Sequence, residues 1–203
     1  CGIVGYVGNK NATPIIIEGL SKLEYRGYDS TGIAVIDGDK IQVRRDSGKI
    51  SKLRKLISEN PISGSPGIGH TRWATHGEPN EKNAHPHIGS DGKVVIVHNG
   101  IVENYQEIKD ELQAEGVLFN SDTDTETIVQ LIEKHLSSGL NLEMSIRTTL
   151  KRIRGSHGLV VISTTEPEKI IAARIGNAGG VVIGLGENEN YIASDIPAIL
   201  SHT

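Results

Sequence analysis

Short apolar runs alternate along the chain with segments whose apolar residues recur every three or four positions. The first eight residues, Cys1-Gly-Ile-Val-Gly-Tyr-Val-Gly8, are of the first kind. Rich in β-branched residues and bounded by glycine, they predict a strand. Thr13 followed by Pro14 reads as an N-cap and first helical position, and Ile16, Leu20 and Leu23 share one helical face, so a helix is expected to end near Arg26-Gly27. Strands follow at Thr31 to Asp37 and Lys40 to Asp46, then an amphipathic helix with Ile50, Leu53 and Ile57 inward and Lys52, Arg54 and Lys55 outward. The seven basic residues among the sixteen from Lys40 to Lys55 alternate with that apolar stripe, so a solvated face explains them better than an anion site.

Further on, Val94 to Val97, Leu159 to Ile162, Ile170 to Ala173 and Val181 to Ile183 are continuous apolar runs, which predict strands covered on both faces. Helices at about Asn104 to Glu115 (Tyr105, Ile108 and Leu112 inward), Asp124 to Leu136 and Leu142 to Ile153 supply part of that cover. A layered α/β sandwich fits, with a second sheet as the remaining cover. A doubly wound parallel sheet is the rival, but several connections are too short to hold a helix, which favours antiparallel pairing. With no linker or repeat in the sequence, residues 1–203 read as one domain.

Composition narrows the function classes. No run of 18 apolar residues is present, and no basic stretch leads into an apolar one, so neither a membrane span nor a secretory leader is read and a cytoplasmic protein is expected. A net charge of −4 with seven aromatic residues supplies neither the basic field nor the stacking platforms of a nucleic-acid binder. A single cysteine excludes a disulfide framework and a thiolate-rich metal site, and that cysteine is residue 1.

Four places concentrate reactive or polar groups. At the head of the chain, Cys1 joins a thiol to an α-amine whose ordinary pKa, about 7.7 to 8.0, suits general-base work near neutral pH. A terminal amine can in this way activate a nucleophile on its own residue. Gly67-Ile-Gly-His-Thr-Arg-Trp-Ala-Thr-His-Gly77 holds an arginine, the only tryptophan, two threonines and two histidines, more donors than a core segment carries. In His98-Asn99-Gly100, an amide side chain and a glycine N–H could converge on one acceptor as an oxyanion hole, although Asn99-Gly100 taken alone reads better as a hairpin turn. Thr123 with Glu126 makes a capping box that leaves Asp124 in a first helical turn, where it complements the helix dipole or holds a substrate ammonium.

These segments occur together, and together they resemble a known family. Cys1-Gly-Ile-Val-Gly, Tyr25-Arg-Gly-Tyr-Asp-Ser30, His70-Thr-Arg-Trp-Ala-Thr-His-Gly77, Asn83-Ala-His-Pro-His87, Val97-His-Asn-Gly-Ile-Val-Glu-Asn104 and Ser121-Asp-Thr-Asp-Thr-Glu126 are similar to the glutaminase domain of the glucosamine-6-phosphate synthases, which are class II glutamine amidotransferases. The resemblance runs from the first residue to the last. It implies an α+β fold, the four-layer αββα sandwich of the N-terminal nucleophile (Ntn) hydrolases. It also implies L-glutamine as substrate, with Cys1 as nucleophile and base, and Asn99 and Gly100 as oxyanion donors. Arg72 would grip the α-carboxylate with Thr75 and His76 lining that subsite, Asp124 the α-ammonium, and Trp73 would gate the pocket. Arg26 is a supporting candidate. No metal and no cofactor are implied. Gly176-Asn-Ala-Gly-Gly180 departs from the family's usual Gly-Ser-Pro-Leu, and Thr31 stands where alanine or serine is commoner. Nothing in the chain corresponds to the family's sugar isomerase domains, so glutamine cleavage with release of ammonia is expected here, and ammonia transfer to fructose 6-phosphate only with those domains. A class II domain with another acceptor, a non-catalytic glutamine-binding module and a metal site on His70, His76, His85, His87 and His98 are the alternatives.

Overall fold

Strand β1 (Gly2–Gly8) turns Val4 and Tyr6 to one side and Ile3 to the other, and the same division recurs on most of the other central strands. The structure is a computed structural model that describes residues 1–74 and 77–203. After β1 come α1 (Ala12–Lys22), β2 (Ser30–Asp37), β3 (Lys40–Ser47), α2 (Ile50–Glu59), β4 (Gly67–Arg72), β5 (His87–Ile88) and β6 (Val94–Gly100). The remainder is α3 (Tyr105–Ala114), α4 (Thr125–Ser137), α5 (Leu142–Arg152), β7 (His157–Ser163), β8 (Ile171–Ile175), β9 (Val182–Gly186) and β10 (Glu189–Ala193).

Among the described residues two sheets form, one of six strands in the order β3-β2-β4-β1-β10-β9 and one of four in the order β5-β6-β7-β8. Every pairing is antiparallel, which removes the doubly wound alternative. Because side chains alternate along a strand, each sheet buries two different faces. Val4, Tyr6, Ile33 and Val35 pack against Ile16, Leu20 and Leu53 of α1 and α2. Ile3, Ala34 and Ile68 meet Val95, Val97, Val160 and Ile162 between the sheets. Val94, Ile96, Leu159 and Val161 pack against Ile108, Ile128 and Ile146 of α3, α4 and α5. The result is helix layer, sheet, sheet, helix layer, the predicted αββα sandwich. No helix among the described residues is long and apolar enough to cross a membrane.

Several local expectations are corrected. The N-cap of α1 is Asn11, whose side chain accepts from the Thr13 N–H at 3.1 Å, while Thr13 donates its hydroxyl to the Ile62 carbonyl. Pro14 is therefore the third helical residue, still within the turn whose N–H groups have no intrahelical partner. The helix stops at Lys22, and a short 3-10 turn over Glu24–Arg26 carries the chain on. Two-sided cover holds for β6 and β7, but β8 and β9 are sheet edges, with Ile183 63% and Leu185 74% exposed. An apolar run does not distinguish a central strand from an edge strand, since that depends on which strands close the sheet. Strand β10, beside β1, carries too few apolar residues to be read from the sequence.

The topology sets the site. Strand β1 is inside the larger sheet, and its start lies opposite the end of β4, with Gly2 facing Thr71. Strand β6 is inside the smaller sheet and ends at Asn99-Gly100. One end of the sandwich thus gathers Cys1, Arg72 and Asn99.

Candidate active site

Cys1 is clamped by Arg26 in both directions. Its amine donates to the Arg26 carbonyl at 2.5 Å, and Arg26 Nε donates to the Cys1 carbonyl at 2.9 Å. The guanidinium is anchored in turn to Asp195 at 3.1 Å. The sulfur receives the backbone N–H of Trp73 at 3.2 Å, and as a thiol it donates to the Trp73 carbonyl at 3.6 Å. Burial, with the Arg26 charge adding and Asp29 opposing, lowers the amine pKa to about 6. At neutral pH the amine is therefore largely free base, more so than its ordinary value would allow.

Cys1 opens into a pocket of about 320 Å³ whose walls include Arg26, Arg72, Trp73, Asn99, Gly100 and Asp124. Arg72 is 4% exposed and donates to the carbonyls of Gly77 (3.1 Å) and Glu78 (3.4 Å). Burial lowers its pKa, while the Asp124 and Asp29 carboxylates favour its charged form. The Trp73 ring is half exposed and meets Tyr28 edge-on at 5.7 Å. Thr75 and His76 lie outside the described residues.

The capping-box reading of Thr123 and Glu126 is corrected. Asp124 is itself the N-cap position of α4, and its carboxylate accepts from the Val102 N–H at 2.7 Å. Glu126 instead receives the backbone N–H groups of Asn120 and Ser121, at 2.8 and 2.7 Å. The loop before α4 doubles back on the helix start, so its own N–H groups reach Glu126 first. This leaves Asp124 buried at the pocket wall, tied to the segment that follows β6.

Asn99-Gly100 is not a hairpin turn. Both residues continue β6, Asn99 opposite Gly158 and Gly100 opposite His157. Gly100 takes φ +133, and a Cβ there would lie 2.2 Å from the Ser156 carbonyl oxygen. Only glycine fits this strand end. Gly100→Ala should therefore lower the unfolding free energy by about 2–6 kcal/mol, the sum of backbone strain and overpacking, measured as a shift of the urea midpoint. A midpoint unchanged within error would contradict the crowding described here.

The profile of the glutamine amidotransferase domain family matches residues 70–201. The chain belongs to the class II glutamine amidotransferases. Over its full length the domain is 50% identical to the glutamine–fructose-6-phosphate aminotransferase (isomerizing) of Clostridium perfringens and 51% identical to that of Pyrococcus horikoshii. It spans about a third of the length of each, 33% and 34%. Among solved structures, the glutamine phosphoribosylpyrophosphate amidotransferase of B. subtilis superposes with a TM-score of 0.83 at 26% identity, covering 98% of the domain and 43% of that chain. The αββα arrangement is thus the Ntn-type fold of the glutamine amidotransferases.

The amidotransferase domain also has residues in or near the pocket to which the sequence assigned no role in glutamine chemistry. Gly179, at φ +76 in the Gly176 to Gly180 loop, lines the pocket next to Asn99, so the divergent loop belongs to the site. Asp29 acts on the amine through its charge and accepts the Ala74 N–H at 2.8 Å. His85 and Thr125 also line the pocket. Asp29 and Thr125 were signalled only by lying inside the recognised motifs, His85 also as a candidate metal ligand, and Gly179 by its loop's departure from the family pattern.

Proposed function

We propose that residues 1–203 form one class II glutaminase domain that hydrolyses L-glutamine to glutamate and ammonia through a thioester on Cys1. One observation carries this reading: a thiol and an α-amine of pKa about 6, on one residue, open into the pocket that also holds Asn99, Gly100, Arg72 and Asp124. Arg72 pairs with the substrate α-carboxylate and Asp124 with its α-ammonium, which selects the amino acid over a bare amide. Cys1 Sγ attacks the side-chain carbonyl carbon while its proton passes to the amine. The resulting oxyanion receives the Asn99 side-chain N–H and the Gly100 backbone N–H. As the C–N bond breaks, the ammonium returns its proton to the leaving ammonia, and water then cleaves the thioester by the same route. Trp73 gates the pocket, and Thr75 and His76 complete the carboxylate subsite as the family resemblance implies.

In a longer chain organised like the relatives, the ammonia goes to fructose 6-phosphate held by sugar isomerase domains, in the cytoplasm, giving glucosamine 6-phosphate. Incubation with an electrophilic glutamine mimic, followed by peptide mass spectrometry, should place the label on Cys1. A glutamine-binding module without catalysis would bind glutamine and release no glutamate.

The amine also sets a pH dependence. It must be free base to accept the thiol proton, so kcat/KM should rise with pH through about 6 and fall away below it. Arg26 lowers the amine pKa, so Arg26→Gln should move this acid limb to higher pH. A limb that stays in place would mean that another group titrates.

A further inference from the structure

We propose that His70 is a positioning residue that decides which end of the Asn99 amide faces the pocket. The proposal rests on the reading of Asn99 as an oxyanion donor. A side-chain amide has a donor end and an acceptor end of nearly the same shape. Only the Nδ2 end can stabilise an oxyanion, and a flipped amide would set a carbonyl oxygen against it. Something behind the amide must therefore hold Oδ1.

His70 is placed to do so. It lies on β4 and faces across the gap between the sheets, where its Nε2 is 2.9 Å from Asn99 Oδ1. Both side chains are buried. Asn99 Nδ2 points instead toward Gly179 on the pocket wall, 3.6 Å from where a Cβ on that glycine would sit. The bond holds this orientation only if the His70 proton is on Nε2. Full burial keeps the ring neutral by pushing its pKa down to about 3, so it carries one proton. The His98 backbone carbonyl lies near the ring, but Nδ1 has no partner at hydrogen-bond geometry. With Oδ1 turned to the ring, Nε2 is the nitrogen whose proton meets an acceptor at hydrogen-bond geometry, so the proton belongs there.

A chain of bonds holds the His70 ring in place. The Arg154 carbonyl, 3.1 Å from His157 Nε2, can only accept, so neutral His157 carries its proton on Nε2 and leaves Nδ1 bare. His98 Nε2–H then donates to His157 Nδ1 (3.0 Å), and His98 Nδ1 accepts the Thr125 hydroxyl (2.8 Å). The Thr125 oxygen is left to accept from His85 Nε2–H at 3.1 Å. His85 is fixed in this way, and the His70 ring stacks on it with centroids 4.2 Å apart. One backbone carbonyl thereby settles the tautomers of three histidines and braces the fourth behind Asn99.

The test is a double-mutant cycle on the glutaminase reaction, with His70→Leu, Asn99→Ala and the double variant. His70→Leu should lower kcat about tenfold to hundredfold, part of the loss typical of an oxyanion donor, and leave KM for glutamine within about twofold. His70→Gln, which restores an N–H donor, should recover most of the rate. In the Asn99→Ala background His70→Leu should cost nothing further. An equal cost in both backgrounds would mean a general structural role and overturn the proposal. If Asn99→Ala loses no activity, the oxyanion reading itself falls and this inference with it. A normal Asn99 loss with no His70 effect sinks the inference alone. Nitrogen-15 NMR of the unmutated protein gives an independent readout: a bare Nδ1 and protonated Nε2 on His70 are expected, and the reverse tautomer refutes the proposal even if His70→Leu does not fold.

Discussion

One extra residue placed ahead of Cys1 should reduce glutamine hydrolysis by about 10²- to 10⁴-fold, the contribution usual for a positioned general base. The addition turns the amine into an amide, which cannot take up the thiol proton at any accessible pH. It leaves the sulfur, the pocket and both sheets as they are. The amide N–H can still donate to the Arg26 carbonyl, so the clamp on residue 1 survives. Glutamate release measures the effect, and circular dichroism with urea denaturation should show an unchanged fold. Cys1 is half-buried, and its amine owes its depressed pKa first to that burial. No described residue is found within hydrogen-bond range of the sulfur except the Trp73 backbone, which offers no base. Activity retained within about threefold would place the base elsewhere and end the self-activating reading of Cys1.

Asn99→Ala should lower kcat by about 10²- to 10³-fold with little change in KM. The amide is assigned to a charge that exists only after the sulfur has added to the carbonyl, so its loss falls on the transition state and not on glutamine binding, which is assigned to Arg72 and Asp124. Asn99→Asp is the sharper variant. It keeps an oxygen for His70 Nε2 and almost the same shape, yet it replaces the donor by an acceptor that repels the oxyanion. It should be at least as slow as Asn99→Ala, and both should keep the fold, since the backbone pairing of Asn99 with Gly158 is untouched, although Asn99→Ala should lose about 1–3 kcal/mol of stability because His70 Nε2–H is left without its acceptor. A fast Asn99→Asp enzyme would show that this side chain does not face the developing charge.

Much of the fold was readable from periodicity. The uninterrupted apolar runs of β6 and β7 required cover on both faces, and the sandwich supplies it. The same argument overreached at β8 and β9, because composition does not reveal a sheet's last strand. Local rules failed where a distant group competed for the same atoms. Asn11 took the cap expected of Thr13, whose hydroxyl goes to Ile62. Glu126 turned to Asn120 and Ser121 and left Asp124 at the helix start. Asn99-Gly100, a turn by dipeptide preference, became a strand end because β7 lies alongside to pair with it.

By itself the sequence determined where the main elements lie and which residue types could carry acyl-transfer chemistry, since both depend on side-chain identity and near-neighbour spacing. The tertiary structure decided how those groups behave. The amine falls to about 6 because packing removes water around it and brings Arg26 close, and a pattern of letters contains neither effect. Likewise His70 and Asn99, 29 positions apart, meet only because two sheets face each other across one core. Desolvation and contacts across layers arise when the layers close, and that is the step that turns a set of reactive residues into a site.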